Sequence, residues 1–272
     1  MDLVRMGRIG LGALLALGLT AGVAEAARCG KDGGGFNRWK AEFGKEAKAN
    51  GIGGKALSAL AGTSYLRSTI SADRGQKGFK LSLNAFMAKR GGQAIASRGR
   101  SLKGQNAALL KRIEQRYGVP PGPLLAIWGM ETGFGGFMGN SNILSAVATL
   151  AYDCRRTEYF TDQLYAALTL IQKGALSPGA IGAAHGEIGQ TQFLPRNVVR
   201  YGVDGDGDGR VDLIRSRADA LASTANFLRG HGWQPGGGYQ PGQGNFGALQ
   251  GWNAAGVYQQ AIAIIGKQID GK

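Results

Sequence analysis

The strongest constraint on this chain is an apolar helical segment that carries one acidic residue and runs directly into glycines. The segment reads Trp128-Gly129-Met130-Glu131-Thr132-Gly133-Phe134-Gly135. Ile127 and Trp128 lie four and three positions before Glu131 and so share its helical face. These apolar neighbours, together with the partial negative charge at a helix C-terminus, favour the neutral form of the carboxyl group. A carboxylic acid that is protonated near neutral pH can donate to a leaving oxygen, so Glu131 is predicted to be a general acid.

An acidic residue in an apolar helix also has a purely structural explanation. Glu131 would then accept a hydrogen bond from a backbone amide or pair with an arginine, and for an arbitrary Glu this is the commoner case. The glycines at 133, 135 and 136 favour a site, because they remove side-chain bulk and allow a polymer to approach the backbone. The local residues alone therefore leave both interpretations open.

Apolar residues recur at three- and four-residue steps along most of the chain, which predicts a mainly α fold. Alternating strand patterns are few, and 48 glycines predict long irregular connections, including loops over 182–189 and 230–247. The predicted helices cover 36–51, 54–61, 80–90, 102–117, 124–132, 142–151, 158–173, 191–201 with a kink at Pro195, 216–229 and 258–268.

The N-terminus has the pattern of a cleaved export signal. Arg5 and Arg8 precede an apolar run over 9–23, and Ala24-Glu25-Ala26 supplies small residues at the expected cleavage spacing. We therefore expect a signal peptide over 1–26, one exported domain over 27–272, and a periplasmic location. No later segment is predicted to cross a bilayer.

The two cysteines, Cys29 and Cys154, both lie in the exported part. Arg28 stands where a lipoprotein signal would need a small residue, so lipidation of Cys29 is not expected. In an oxidising compartment an isolated pair usually bonds, so a Cys29–Cys154 disulfide is predicted. The alternative is two unpaired, partly buried thiols.

The formal net charge is +14, and removal of residues 1–26 leaves it unchanged because two basic and two acidic residues are lost together. A basic exported protein suits an acidic polymer such as cell-wall material, an anionic lipid surface or nucleic acid. The alternative is that the charge serves solubility. No interleaved basic and aromatic strand pattern or finger motif supports nucleic-acid recognition, so we expect no nucleic-acid partner.

An ordered series of motifs resembles the membrane-bound lytic murein transglycosylase B family, glycoside hydrolase family 103. The resemblance runs from about Phe36 to Ile269 and includes the Glu131 segment quoted above. Its other motifs are Asp73-Arg74-Gly75-Gln76, Tyr117-Gly118-Val119-Pro120-Pro121, Met138-Gly139, Ala148-Thr149-Leu150, Arg155-Arg156-Thr157-Glu158-Tyr159-Phe160, Gly189-Gln190-Thr191-Gln192-Phe193-Leu194-Pro195 and His231-Gly232-Trp233.

The resemblance implies a lysozyme-like helical core that cleaves the MurNAc–GlcNAc β-1,4 bond of peptidoglycan without adding water. Glu131 matches a single catalytic Glu, which acts as acid towards the glycosidic oxygen and then as base towards the MurNAc 6-hydroxyl, giving a 1,6-anhydro product. No cofactor is implied for catalysis. The implied partners are peptidoglycan glycan strands and other cell-wall enzymes, and a monomer is expected.

Further residues follow from the same resemblance. Gln192 matches a polar residue of the glycan cleft, and Arg155 and Arg156 match an arginine pair suited to the carboxylates of peptide stems. A late set of Trp252, Asn253 and Tyr258 matches residues that face the cleft, although Tyr is more frequent where Trp252 stands. The alternative for the arginines is a solvated charge pair, and for Trp252 and Tyr258 it is core packing.

One additional carboxylate does not follow the family pattern. Glu187 lies in the loop before Gln192, where the family more often has a small residue. It either tunes Glu131 or is simply exposed, and we expect exposure.

An acidic stretch resembles the beginning of a calcium loop. Asp204, Asp206 and Asp208 occupy alternating ligand positions, and the carbonyl of Arg210 fits the next one. Arg215 stands where the usual twelfth-position Glu would close the site, so Asp219 is the best match for the last ligand. The expectation is an EF-hand-like loop over about 203–219 in a small subdomain, holding a structural Ca²⁺. The alternative is a flexible Asp/Gly turn that binds nothing strongly.

Three other functions remain as alternatives to a lytic transglycosylase. A lysozyme-type hydrolase on the same scaffold would give reducing MurNAc ends, and a non-catalytic module would bind peptidoglycan without cutting it. A nucleic-acid binder rests on net charge alone.

Overall fold

The computed structural model describes residues 29–75 and 81–271, and within these residues the fold is almost entirely helical. The predicted signal peptide over 1–26 lies outside the described residues. A short 3-10 helix (Gly33–Gly35) comes first, and the first seven α-helices are α1 (Phe36–Ala49), α2 (Gly54–Ala61), α3 (Arg67–Gly75), α4 (Leu83–Arg90), α5 (Gly92–Gln105), α6 (Ala107–Tyr117) and α7 (Pro121–Thr132). The others are α8 (Ile143–Tyr152), α9 (Thr157–Gln172), α10 (Pro195–Tyr201), α11 (Arg217–Gly230), α12 (Phe246–Trp252) and α13 (Gly256–Asp270).

Strand structure is limited, within the described ranges, to one short antiparallel pair. It joins β1 (Ser141–Asn142) to β2 (Ile181–Gly182), with Ser141 opposite Gly182. The mainly α class that the apolar periodicity predicts is therefore what the chain forms.

Helix α7 lies in the hydrophobic core and carries Glu131 in its last turn. Every residue from Gly122 to Met130 is buried, as expected for a helix that is apolar on all sides. It packs against α5, α6, α11 and α13. At the crossing with α13, a Cβ on Gly122 would lie 2.3 Å from the carbonyl oxygen of Gly266, so the two backbones meet only because glycine stands there.

Both ends of α7 are fixed by local chemistry. Pro121 supplies the first turn, where its missing N–H costs nothing, and Asp270 accepts a 2.8 Å hydrogen bond from the amide of Gly122. At the other end Gly133 adopts a left-handed conformation with φ of 60° and stops the helix. The hydroxyl of Thr132 then donates to the carbonyl oxygen of Gln190 at 2.6 Å, which ties this end to the loop that follows β2. Glu131 is thus held on a rigid element.

The N-terminal segment is fastened to the end of α8. The disulfide between Cys29 and Cys154 is formed, with the two Cα atoms 5.0 Å apart. Beside it, the amide of Gly30 donates to the carbonyl oxygen of Tyr152 at 2.9 Å. Phe36 on α1 packs edge-on against the ring of Tyr152 at 5.5 Å between centroids. The first helix is therefore joined to the core by covalent, polar and aromatic contacts.

Several predicted elements differ from the observed ones. The helix predicted over 102–117 is wrong as a single element, because the chain breaks at Asn106, whose side chain donates to the carbonyl oxygen of Leu102 at 2.7 Å. The helix predicted over 191–201 starts only at Pro195, since proline suits a first turn. Helices α3, α12 and most of α5 were not predicted.

Candidate active site

Glu131 lines a cavity of about 290 Å³ between α7, α11, α12 and the loop after β2. Its side chain is partly exposed at this cavity. It takes part in none of the ion pairs formed among the described residues. The alternative of a Glu bonded to a backbone amide or to an arginine therefore does not describe Glu131, which accepts hydrogen bonds from the side chains of Trp252 and Tyr258. The other lining residues are Glu187, Gln192, Phe193, Leu194, Asn197, Phe227, Trp252 and Asn253.

Two donors from the C-terminal part of the chain hold the Glu131 carboxyl group. The Nε1–H of Trp252 donates to Oε1 at 3.0 Å, and the hydroxyl of Tyr258 donates to the same oxygen at 2.6 Å. Among the described residues we find no hydrogen bond to Oε2. Because Oε1 is occupied as an acceptor, a proton on this carboxyl group belongs on Oε2.

The surroundings raise the pKa of Glu131 above its ordinary value. Removal of the carboxyl group from water is the largest cause, and the negative charge of Glu187 adds to it. The hydrogen bonds from Tyr258 and Trp252 and the positive charge of Arg90 act in the opposite direction without reversing the shift. The general acid predicted from the sequence thus has the electrostatic setting that such a role needs.

Tyr258 is fixed as a hydrogen-bond donor. Burial, and then the neighbouring charge and hydrogen bond of Glu131, raise the pKa of its phenol well above the ordinary value, so the hydroxyl keeps its proton. Phe86 packs against its ring at 5.8 Å between centroids, and the guanidinium of Arg90 lies 5.8 Å from the ring centre. Tyr258 is therefore both a core residue and a partner of Glu131, so the two interpretations of this residue are not exclusive.

Gln192 lines the cavity with a backbone conformation that is uncommon for a residue with a side chain. Its φ is 56°, in the left-handed region. The side-chain Nε2 donates to the carbonyl oxygens of Gly189 at 2.8 Å and Met138 at 3.3 Å. Such local strain persists where the surrounding structure imposes it, and it is often found at functional sites.

Trp252 and Asn253 enter the cavity from the end of α12. The ring of Trp252 packs edge-on against Phe193 at 5.4 Å and Phe227 at 5.1 Å between centroids, which sets the direction of its N–H. Asn253 accepts a hydrogen bond from the amide of Ala255 at 2.9 Å, just before α13 begins. The two phenylalanines form the apolar wall of the site. Phe193 lies inside the motif over 189–195 that carries the family resemblance, but it was not predicted to line the site. Phe227 could be predicted only as part of a helix.

The two arginines lie together but do not line this cavity. Arg155 and Arg156 each donate a hydrogen bond from Nη2 to the carboxylate of Asp73 on α3, whose side chain is buried. The side chains of Arg155 and Arg156 remain 47% and 36% exposed, so both keep donors that face solvent. They are thus more than a solvated charge pair, and their predicted role in binding stem peptides stays a prediction.

The expectation that Glu187 is simply exposed is wrong. Its side chain is 24% exposed, lines the same cavity as Glu131, and lies against His185. The contact with His185 could not be predicted, because the loop after β2 has no periodicity that would indicate which side chains turn inward.

The carboxylates of the acidic loop accept hydrogen bonds from backbone amides of the same loop. One carboxylate oxygen each from Asp204, Asp206 and Asp219 lie within 4.8 Å of one another. Asp219 is 1% exposed and accepts hydrogen bonds from the amides of Gly205 at 2.8 Å and Asp212 at 2.7 Å. Asp208 is not part of this group and instead accepts from the amide of Arg210 at 2.8 Å.

The described part of the chain contains no helix with both the length and the apolar character that a bilayer crossing requires.

Comparison with known proteins finds relatives among lytic transglycosylases. It is 40% identical over 129 residues to the membrane-bound lytic murein transglycosylase B of Escherichia coli, a match that covers 47% of this chain and 36% of that protein. The chain thus spans well under two thirds of that relative. SltB3 from Pseudomonas aeruginosa in complex with NAG-anhNAM-pentapeptide superposes with a TM-score of 0.81 and 29% identity, covering 87% of this chain and 80% of the other.

A third likeness concerns the fold alone. The Escherichia coli lytic transglycosylase Slt35 in complex with calcium superposes with a TM-score of 0.76 and 23% identity, covering 90% of this chain and 96% of that one. The mainly α, lysozyme-like fold class is confirmed. Residues 35–242 match the family model described as Transglycosylase SLT domain. Since this match covers more than half of the sequence, the chain belongs to the Transglycosylase SLT domain family.

Proposed function

We propose that this chain is a periplasmic lytic transglycosylase that cleaves the MurNAc–GlcNAc β-1,4 bond of peptidoglycan. The observation that carries the proposal is the carboxyl group of Glu131, which lines an open cavity and has its pKa raised by burial. The family membership and the relatives named above supply the substrate class. No catalytic cofactor is needed, because the reaction is a proton transfer followed by attack within the substrate.

The proton path follows from the two oxygens of Glu131. In the first step the proton on Oε2 passes to the glycosidic oxygen, and the bond from that oxygen to C1 of MurNAc breaks. As the carboxylate forms, the donors of Tyr258 and Trp252 on Oε1 stabilise its charge. The Glu131 carboxylate then takes the proton of the MurNAc 6-hydroxyl while the oxygen of that hydroxyl attacks C1. The product is a 1,6-anhydro ring, and Glu131 is again protonated.

The remaining cavity residues would place the sugar. Gln192 offers its side-chain oxygen to the glycan, since its Nε2 is bonded to two backbone carbonyls, and Asn253 offers its Nδ2, since its Oδ1 accepts from Ala255. Phe193 and Phe227 provide an apolar wall. Arg155 and Arg156 offer guanidinium donors to the carboxylates of the peptide stems.

A second candidate function is a lysozyme-type hydrolase, and Glu187 is the observation that favours it. Glycosidases that use water need a second carboxylate as nucleophile or base. Glu187 lines the same cavity as Glu131 and is such a group. The two functions differ in their products, since hydrolysis gives reducing MurNAc ends.

Mass analysis of products from purified sacculi tests the proposal. We expect muropeptides that end in anhydro-MurNAc, lighter by one water than the hydrolysed species. Reducing MurNAc ends as the main product would support the hydrolase. Absence of any soluble product, with binding to sacculi retained, would support a non-catalytic module.

Replacement of Tyr258 by Phe is expected to lower kcat and to shift its pH profile upwards. The variant removes a donor that stabilises the Glu131 anion, so kcat is expected to fall about 10- to 100-fold. The same loss raises the pKa of Glu131 further, because that hydrogen bond lowers it. Since the reaction starts from protonated Glu131, the alkaline limb of the kcat profile moves to higher pH. A lower kcat with an unmoved limb would contradict this role.

We also infer that Asp204, Asp206 and Asp219 hold a Ca²⁺ ion. Three like charges repel one another, yet the chain places their oxygens within 4.8 Å. Oxygen ligands at 2.3–2.6 Å from a common ion fit this spacing. The ion would stabilise the loop and take no part in the reaction, and the contributions of Asp208 and of the Arg210 carbonyl stay predictions.

Calcium is expected to raise the melting temperature of the protein. At a free concentration of about 100 times Kd, binding adds about 2.7 kcal/mol, which is about 5 to 10 °C for a domain of this size. An Asp206→Asn variant is expected to lose most of this increase, whereas Asp162→Asn, an exposed change on α9, keeps it. Scanning calorimetry with Ca²⁺ and with a chelator measures both. Equal melting temperatures of the wild type in the two conditions would rule the ion out.

A further inference from the structure

His185 holds Glu187 in a fixed position at the edge of the catalytic cavity. The backbone amide of His185 donates to Oε2 of Glu187 at 2.9 Å, and the ring Nδ1 lies 3.2 Å from Oε1. A carboxylate can only accept, so the proton on this side of the ring sits on Nδ1. Both oxygens of Glu187 are therefore bonded by the same residue, which leaves the carboxylate little freedom to turn.

The other end of the imidazole faces Asp73. Nε2 of His185 lies 3.9 Å from Oδ1 of Asp73, is buried, and makes no hydrogen bond within the described part of the chain. Asp73 is in turn held by Arg155 and Arg156. His185 is 12% exposed, so it is packed between a buried ion cluster on one side and the cavity carboxylate on the other. This arrangement connects the Asp73 cluster, which consists of Asp73, Arg155 and Arg156, to the wall of the active site through one imidazole ring.

Hydrogen bonds keep Glu187 ionised despite its burial. Burial alone would raise its pKa, but the hydrogen bonds and charge of His185, with the backbone amides, more than offset this and hold the pKa below its ordinary value. The pKa of Glu187 is thus lowered and that of Glu131 is raised, although the two residues line the same cavity. Such a pair is the usual sign of a divided role between two carboxyl groups.

We propose that Glu187 is a positioning residue for the Glu131 reaction, in which a fixed negative charge keeps Glu131 in its protonated form. The inference rests on the proposed function, since only an acid that must hold a proton gains from a nearby anion. Glu187 itself exchanges no proton with the substrate. A second carboxylate near the first is unfavourable because like charges repel. The backbone amide and ring of His185 offset this repulsion by hydrogen bonding to Glu187.

The charged and hydrogen-bonding groups that face Glu131 come from four parts of the chain. Glu187 acts from the loop after β2, and Arg90 acts from α4 with the opposite sign. Trp252 at the end of α12 and Tyr258 on α13 contribute neutral donors. Among these groups Glu187 is the one whose charge favours the protonated acid, so its removal has a predictable sign.

The test is the pH profile of kcat for Glu187→Gln, measured as total glycosidic bonds cut in purified sacculi. Without the anion the pKa of Glu131 falls, and the alkaline limb is expected to move to lower pH by about one unit. Above that limb the rate is then about 10-fold lower than in the wild type. Glu187→Asp keeps the charge and is expected to restore the limb, and Glu187→Ala repeats the test with no side-chain hydrogen bonds. Glu42→Gln removes an exposed charge from α1 and is expected to change nothing.

The outcomes separate this inference from the proposed function. An unmoved limb in both Glu187→Gln and Glu187→Ala, with anhydro products still formed, would overturn the inference alone. If the wild type makes no anhydro ends, the proposed function fails. The role of Glu187 can still be tested in that case, because the pH profile of kcat is measured from all glycosidic bonds cut, whichever product forms. Selective loss of reducing ends in Glu187→Gln would also overturn the inference, because Glu187 would then act on water directly.

Discussion

Replacement of Glu131 by Gln is expected to reduce cleavage of peptidoglycan by about 10³-fold or more. The amide has the same shape, and its oxygen still accepts from Trp252 and Tyr258, so the cavity keeps its form. The amide nitrogen has no acidic proton to give and cannot take one back. Initial rates on sacculi and a binding assay with the same sacculi measure the two effects separately, and binding is expected to persist.

Stability gives an independent measurement on the same variant. Glu131 has an ordinary pKa of 4.5 and a higher one in the folded protein. Its contribution to stability is present below the unfolded value and is lost as pH rises through the folded one. The melting temperature of Glu131→Gln relative to the wild type is therefore expected to increase from pH 4 to pH 8. A difference that does not change with pH would contradict the raised pKa, and full activity in the variant would contradict the catalytic role.

The sequence predicted the local part of this site well, because that part depends on neighbours along one helix. Ile127 and Trp128 precede Glu131 by one turn, and the helix ends at Thr132, where the glycines begin. Periodicity and helix termination are short-range properties, so they can be derived from one sequence.

The partners of Glu131 could not be derived in this way. Trp252 and Tyr258 lie 121 and 127 residues further along the chain, and only the family resemblance brought them to the site. The inward position of Glu187 was predicted wrongly for a related reason. Its place depends on His185 and on the loop geometry after β2, neither of which has a sequence pattern of its own.

Helix α5 shows that glycines can lie inside a helix instead of marking a loop. It contains Gly92, Gly99 and Gly104, which lower helix propensity and suggest a connection. In the structure a Cβ on Gly99 would lie 2.5 Å from the side chain of Ile269, so this glycine allows α5 to approach α13. Tertiary packing therefore overrides local propensity, and glycine here indicates close contact between helices.

Loss of the disulfide is the second change with a large expected effect, this time on stability. Cys29 and Cys154 are 125 residues apart, and the chain-entropy model assigns about 5 kcal/mol to a closed loop of this length. A Cys29→Ser/Cys154→Ser double variant is expected to melt about 10 to 20 °C lower than the wild type. Calorimetry with and without reductant measures the change, and reductant should leave the double variant unaffected.

Activity should respond less than stability, because the disulfide is attached to α8 and not to the helix that carries Glu131. The residue before the arginine pair, Cys154, sits beside Asp153, whose carboxylate accepts from Arg74 at 2.8 Å and from the amide of Arg155 at 3.0 Å. Reduction is therefore expected to loosen the Asp73 cluster before it disturbs α7. Well below the melting temperature, the double variant should keep most of its kcat on sacculi while KM rises. An equal loss of kcat would instead show that the N-terminal segment supports Glu131 directly.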